Sequence, residues 1–457
     1  MNSRWLLIFC LWVAITFIAP SGNATASGKY KYAFLSVNDN KQAELGIIDA
    51  SSPQAPAEMR PLETPPQSII SYALGSPNGE WIAFFIFSYK AHLDTVRLLN
   101  LTSGETRDIA TGSFPYSWEL RGFSGPDQDI VWSPDSRHLA LNMVQSGNLD
   151  VFIYSLADSR LIDLTSTEQS SHFRVAWSQN SKQIATVSEY CPNPNKCVHK
   201  LEAFDIATKA QTSSVDISDR SIGSGALGTV ACNFNWSPDG RYVSFVSACN
   251  TLVTRPEEVY LWDMAQSNIS QVTNFTVEYS KDKATQYIFS DYAMFWYDAG
   301  TLLIGASFSN DPSTVHTQTV MYQLPSKSII EISSGTADEW IEEPVSKTLA
   351  FRNIPIRLVG NGAQNSSLQT GSIQGNTLQS KTSLNAGAAF QHCNLAWSPD
   401  SFFLAYSLRP NSCVDKPERI GFLERTTGKA IEHVLSPTEQ PGSDGVLPIG
   451  WVETKGP

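Results

Sequence analysis

One spelling recurs along the chain and constrains it more than any other feature. It is an apolar pair, a Trp, Ser-Pro-Asp, then Ser or Gly, and finally an alternating apolar stretch. The clearest copy is Ile130-Val131-Trp132-Ser133-Pro134-Asp135-Ser136, running on into His138-Leu139-Ala140-Leu141. Three further copies centre on Trp177, where Gln179-Asn180 stands in place of Pro-Asp, on Trp236 and on Trp397. Looser versions stand at Leu74-Gly75-Ser76-Pro77-Asn78-Gly79, at Phe295-Trp296-Tyr297-Asp298 and at Glu343-Pro344-Val345-Ser346. A repeat of this kind builds a fold by adding units.

The chemistry explains the spelling. Pro presets φ at the first corner of a turn, Asp or Asn bonds its own backbone, and Gly or Ser takes the tight position. The alternation that follows has the period of a strand. Each copy is therefore a β-hairpin with a polar tip. Trp132, Trp177, Trp236 and Trp397 are packing residues where sheets stack. Asp135, Asp239 and Asp400 recur because the turn needs them, not as catalytic groups. Between these hairpins lies a second strand pair, as in Val151 to Thr165 and in Val259-Tyr260-Leu261-Trp262-Asp263 followed by Ile269 to Asn274. Two hairpins make a four-stranded meander. The expected fold is all-β, a single propeller of four-stranded blades.

The Trp-Ser-Pro-Asp-Gly hairpin, the Val259 to Asp263 strand and the Gln271-Val272-Thr273-Asn274 strand together resemble the TolB-type, WD40-like β-propeller repeat. The resemblance covers nearly all of residues 28–457. It implies a fold more than a function. Relatives of that type include partner-binding periplasmic propellers and propellers attached to prolyl-oligopeptidase-type hydrolases.

From Ser76 to Ser398 the repeat makes six steps, a mean pitch of about 54 residues. The chain then accommodates eight blades, one of them shared by its ends. Tyr30 to Val37 looks like the strand after a turn, and Val446 to Val452 like the strand before it. Seven blades is the alternative, because the unit from Ile341 lacks a clear second hairpin. Residues 360–388 are rich in Gly, Asn, Ser, Gln and Thr, and suit a flexible low-complexity loop or a degenerate blade half.

Residues 1–26 have the form of a signal peptide: Arg4, an apolar run from Trp5 to Ala19, Pro20, and a small-residue site at Ala24-Thr25-Ala26. An uncleaved anchor is the other option. No later stretch is long and apolar enough to span a bilayer. The expected location is secreted or periplasmic. The net charge of −12 with only 17% charged residues disfavours nucleic acid as a partner.

Of seven cysteines, Cys10 lies in the apolar run. The others are Cys191, Cys197, Cys232, Cys249, Cys393 and Cys413, and an exported chain makes disulfides their expected state. Cys232 and Cys393 each precede a Trp of the repeat, and Cys249 and Cys413 follow the next strand. The expected pairs are Cys232–Cys249, Cys393–Cys413 and Cys191–Cys197. Metal binding is the alternative, disfavoured because the cysteines are widely spaced and lack paired histidines.

No Gly-x-Ser-x-Gly elbow, His-Glu-x-x-His or calcium-loop motif occurs. The nearest calcium-like stretch, Asp127-Gln128-Asp129, suits a polar connection. Glu257-Glu258 and Glu342-Glu343 suit solvated faces, and Arg255 and Arg352 surface ion pairs. Phe402-Phe403 suits either a contact patch or packing on the next blade. No catalytic, cofactor or metal residues are assigned. The expected function is a non-catalytic scaffold that binds a protein or glycan on a propeller face. The alternatives are a single-domain propeller enzyme of metal-dependent lactonase or lyase type, or an orphan peptidase propeller.

Overall fold

The computed structural model describes residues 29–37, 42–114, 130–145, 147–166, 169–193, 196–218, 231–247, 258–275, 289–311, 314–344, 347–354, 366–385, 390–410, 417–436, 439 and 446–453. The expected signal peptide, Arg255, Glu257 and the Asp127 stretch lie outside these residues.

Eight four-stranded antiparallel sheets form an all-β propeller. Blade 1 joins the two chain ends: Val446–Glu453 pairs with Tyr30–Val37, which continues to Ala43–Ile48 and Glu58–Leu62. The other blades each run consecutively along the chain. Their first strands are Ser68–Gly75, Ile130–Trp132, Ser171–Trp177, Cys232–Trp236, Phe289–Asp298, Thr336–Glu342 and Phe390–Trp397, for blades 2 to 8 in order. First strands of successive blades lie against one another and enclose a central channel.

The core is divided as the repeat dictates. Among the described residues eight apolar clusters occur; seven join two successive blades, and the one between blades 4 and 5 also takes in Leu149 of blade 3. A blade has two apolar faces and cannot bury either alone, so closure of the ring completes the last interface. There Tyr32, Phe422 and Trp451 meet edge to face at 5.6 to 5.9 Å between ring centres. Phe403 stacks on Trp451 at 6.3 Å, so this aromatic packs on the next blade. His433 of blade 8 adds a polar clasp, its Nδ1 lying 2.6 Å from the Pro53 carbonyl oxygen and its Nε2 2.9 Å from Glu439.

Blade 7 is complete. Residues 360–388 contain two strands, Ser367–Gln374 and Thr377–Asn385, joined by a tight turn with Gly375 at φ 60°. The described part of the stretch, 366–385, supplies the outer two strands of the blade. It is polar because the outer strand faces solvent along most of its length.

Two further expectations need correcting. Glu258 and Glu343 are buried, not solvated. Glu258 accepts hydrogen bonds from the Thr273 and Tyr292 hydroxyls, and Glu343 lies 3.7 Å from the Arg425 guanidinium. Arg352 is largely buried and faces Glu339 at 3.7 Å across a strand pair, rather than lying on the surface.

Candidate functional site: the channel mouth

The Trp-Ser-Pro-Asp turns all lie on one face, because each links the first strand of a blade to the second. In blade 3 the Ser133 hydroxyl donates to Asp135 Oδ1 at 2.6 Å and accepts from the His138 amide at 2.9 Å. The Arg137 amide also donates to Asp135 Oδ1, at 3.0 Å. Blade 5 repeats the geometry with Ser237 and Asp239, and blade 8 closes with the Phe402 amide on Asp400. Asn78 and Asn180 substitute because only one side-chain oxygen is used. Burial pushes the Asp135 carboxyl up, but its hydrogen bonds and nearby cations outweigh this and hold it below the usual range. Burial lowers His138, against the pull of Asp135.

The fourth turn position carries Ser136, Ser181 or Ser401 at φ 59 to 61°, where Gly would be the easier residue. At Ser136 and Ser181 the hydroxyl explains the choice, whereas the Ser401 hydroxyl has no hydrogen-bond partner among the described residues. The Asn78 amide of blade 2 donates to Ser136 Oγ at 2.9 Å, and the Asp135 amide of blade 3 donates to Ser181 Oγ at 3.1 Å. The turns of blades 2, 3 and 4 are thus fastened to one another in succession.

Below the turns, the tryptophans form a second girdle. The Trp132 indole N–H donates to the Leu74 carbonyl of the preceding blade, and Trp177 donates to Val131, Trp236 to Ala176 and Trp296 to Asn235, at 2.9 to 3.2 Å. Trp451 does the same to Ala396 at 2.8 Å. The acceptor is always the residue just before the equivalent position of the previous blade. Blade 7 departs from this pattern. Glu342, paired with Leu349 as Trp132 is with Leu139, stands where the Trp would be.

Inside the girdle is a cavity of about 950 Å³. Its walls come from blades 3 to 7. Val131, Phe295 and Tyr297 present partly exposed carbon, and Pro134 and Pro238 rim it. Gln179, Asn235, Asp298 and the Glu342–Lys347 ion pair, at 2.6 Å, supply the polar groups. Trp132, Trp177 and Trp236 line this mouth, with their indoles largely buried. Trp397 instead borders a cavity of about 390 Å³ between blades 7 and 8, with Lys381 and Arg425. Phe295, Tyr297 and Asp298 belong to a loose copy of the repeat. Glu342 and Lys347 were invisible as site residues because their blade breaks the spelling. Such a mouth, rigid and lined by carbon with a few oriented polar groups, is equipped to bind.

Away from the mouth, the fold gathers histidines that are scattered in sequence. His172 Nε2 lies 3.0 Å from Glu202, and its Nδ1 3.9 Å from Asp150. Burial pushes Glu202 up, but hydrogen bonds from His172 and Ser188 outweigh it and hold the carboxyl low. His199 Nε2 lies 2.7 Å from Glu189, both buried. Cys191 and Cys197 form a disulfide beside them. Cys232 and Cys393 are also disulfide-bonded; Cys249 and Cys413 lie outside the described residues.

No family model and no curated protein sequence matches the chain. Solved structures do. An acylaminoacyl peptidase in complex with Z-Gly-Gly-Phe-chloromethyl ketone is 10% identical with a TM-score of 0.47, over 81% of this chain and 53% of the peptidase chain. The chain thus spans about half the length of that peptidase. An oligogalacturonate lyase in complex with manganese is 12% identical with a TM-score of 0.47, over 89% of this chain and 97% of the lyase chain. TolB from Acinetobacter baumannii is 14% identical with a TM-score of 0.33, over 85% of this chain and 83% of TolB. Such likenesses are to propellers of different function and do not assign one. No helix among the described residues is long and apolar enough to cross a membrane.

Proposed function

We propose that the protein is an exported, non-catalytic propeller that binds a partner protein at the channel mouth. The observation that carries this reading is the cavity of about 950 Å³, walled by five blades and held by fastened turns and tryptophans. Preorganised walls keep the entropic cost of binding low. Phe295, Tyr297 and the two prolines suit apolar side chains of an inserted segment, and Asp298 suits a cation on it. A glycan is the other ligand class that such a surface fits.

The test is capture from the extracytoplasmic fraction of the source by immobilised protein, wild type against Gln179→Trp. Gln179 is exposed on its turn, so the indole would obstruct the mouth without touching the core. A retained species that falls at least about tenfold with the variant supports the reading. Equal retention by both, or none by the wild type, counts against it. In the same proposal residues 1–26 direct export, and the exported protein begins at Ser27 on N-terminal sequencing.

A second reading, a metal-dependent propeller enzyme, draws on one feature. Asn235, Asp298 and Glu342 share the mouth and offer oxygen ligands. A stoichiometric divalent ion that is lost in Asp298→Ala would favour it.

A further inference from the structure

The end of one hairpin in blade 4 collects more metal-ligand chemistry than any other place among the described residues. There the Glu189 carboxylate and the sulfurs of Cys191 and Cys197 offer ligand atoms that all lie within 4.8 Å of one another. The strands explain the convergence. Glu189 pairs across the hairpin with His199, Tyr190 with Val198, and the two cysteines follow at the next level, where the register is irregular before Asn193 pairs with Lys196. His199 holds the carboxylate at 2.7 Å through Nε2. Glu189 and His199 are buried, whereas Cys191 is exposed.

We propose that this hairpin end is a redox-gated zinc site, closed as the Cys191–Cys197 disulfide and opened by a dithiol reductant. A thiolate of the reductant attacks one sulfur, and the other Cys leaves as thiolate. The second reductant thiol then releases the mixed disulfide. The protein gains two electrons and two protons as two thiols, and the reductant becomes a disulfide. Zn²⁺ binding expels both thiol protons to solvent. Two thiolates and the Glu189 carboxylate make three ligands of a tetrahedral ion, with a water in the fourth place. Two sulfurs on one zinc stand about 3.8 Å apart, which the hairpin end allows once the bond is cut. His199 is a positioning residue: it orients the carboxylate from outside the coordination sphere. Soft thiolates favour zinc over magnesium or calcium.

Cys191 is exposed, whereas Cys232 and Cys393 are 5% and 1% exposed.

The experiment is zinc titration against a chromophoric chelator, with native mass spectrometry, on three samples. These are the oxidised protein, the protein treated with a mild dithiol, and the Cys191→Ser/Cys197→Ser double variant treated alike. One zinc per chain in the reduced wild type alone supports the proposal. Glu189→Gln and His199→Gln should then weaken affinity at least about tenfold. Equal uptake by the reduced wild type and the double variant overturns it, as does equal uptake by the oxidised form. Should the double variant fail to fold, cobalt substitution decides. Thiolate-to-cobalt charge-transfer absorption in the reduced wild type supports the site, and its absence overturns it.

Discussion

The indole N–H of Trp177 donates at 2.9 Å to the carbonyl oxygen of Val131, the residue immediately before Trp132 in the neighbouring blade. Packing alone does not require this bond. It ties two blades together, and its recurrence at Trp132, Trp236, Trp296 and Trp451 makes it common to five of the eight blades. Trp177→Phe keeps most of the apolar contact but removes the indole donor from the carbonyl of Val131, which also pairs with Ala140 in the sheet, a loss of about 0.5 to 1.5 kcal/mol. Trp397→Phe is the control. The Trp397 indole nitrogen has no hydrogen-bond partner among the described residues, so this change should destabilise less. Urea unfolding of both variants measures the difference.

The fastened turns make a sharper prediction. Ser181→Ala keeps the left-handed backbone at φ 59° and removes the acceptor of the Asp135 amide. Ser181→Gly removes the same acceptor but relieves the backbone by about 1 kcal/mol. Alanine should therefore be the more damaging substitution in thermal unfolding. The opposite order would mean that the left-handed backbone conformation costs little there.

Gly305, in the second strand of blade 6, sits against blade 7. A β-carbon there would overlap the carbonyl oxygen of Ala337, a backbone atom that cannot swing aside. Gly305→Ala should force the two blades apart and destabilise the protein by about 1 to 3 kcal/mol, as overpacking does. The check is a lowered urea midpoint.

His392 predicts a pH dependence. Burial, assisted by Arg352, lowers its pKa to about 4 from the usual 6.5. Above the unfolded value both states are neutral, and the fold keeps its full stability. As pH falls below it, the unfolded chain takes the proton first, so stability is lost between about pH 6.5 and 4. The loss at pH 4.5 is about 2 to 3 kcal/mol. His392→Gln should flatten this part of the profile relative to wild type.

How much of this was legible depends on where each feature's partners lie. The turns were legible because Ser133, Pro134 and Asp135 satisfy one another within a few residues. Ring closure was legible because Gly450-Trp451-Val452 echoes the strand that Tyr30 to Val37 lacks. The outer half of blade 7 was not legible. Its last strand is mostly solvated, and Gln379, Ser380 and Lys381 carry no apolar alternation. Buried charge was equally hidden. Nothing near Glu343 in the chain announces Arg425, and His172 meets a Glu202 that lies on another strand. The serine at the fourth turn position looked interchangeable with glycine because its donor comes from a different blade.

Photo-crosslinking tests the account of the mouth most directly. A benzophenone amino acid is placed at Gln179 in the mouth, or at Ile329, which is 39% exposed on the outer strand of blade 6. Each protein is irradiated with the extracytoplasmic fraction. The account predicts a discrete protein adduct from position 179 and none from position 329. No adduct at 179, or the same adducts from both positions, would contradict it.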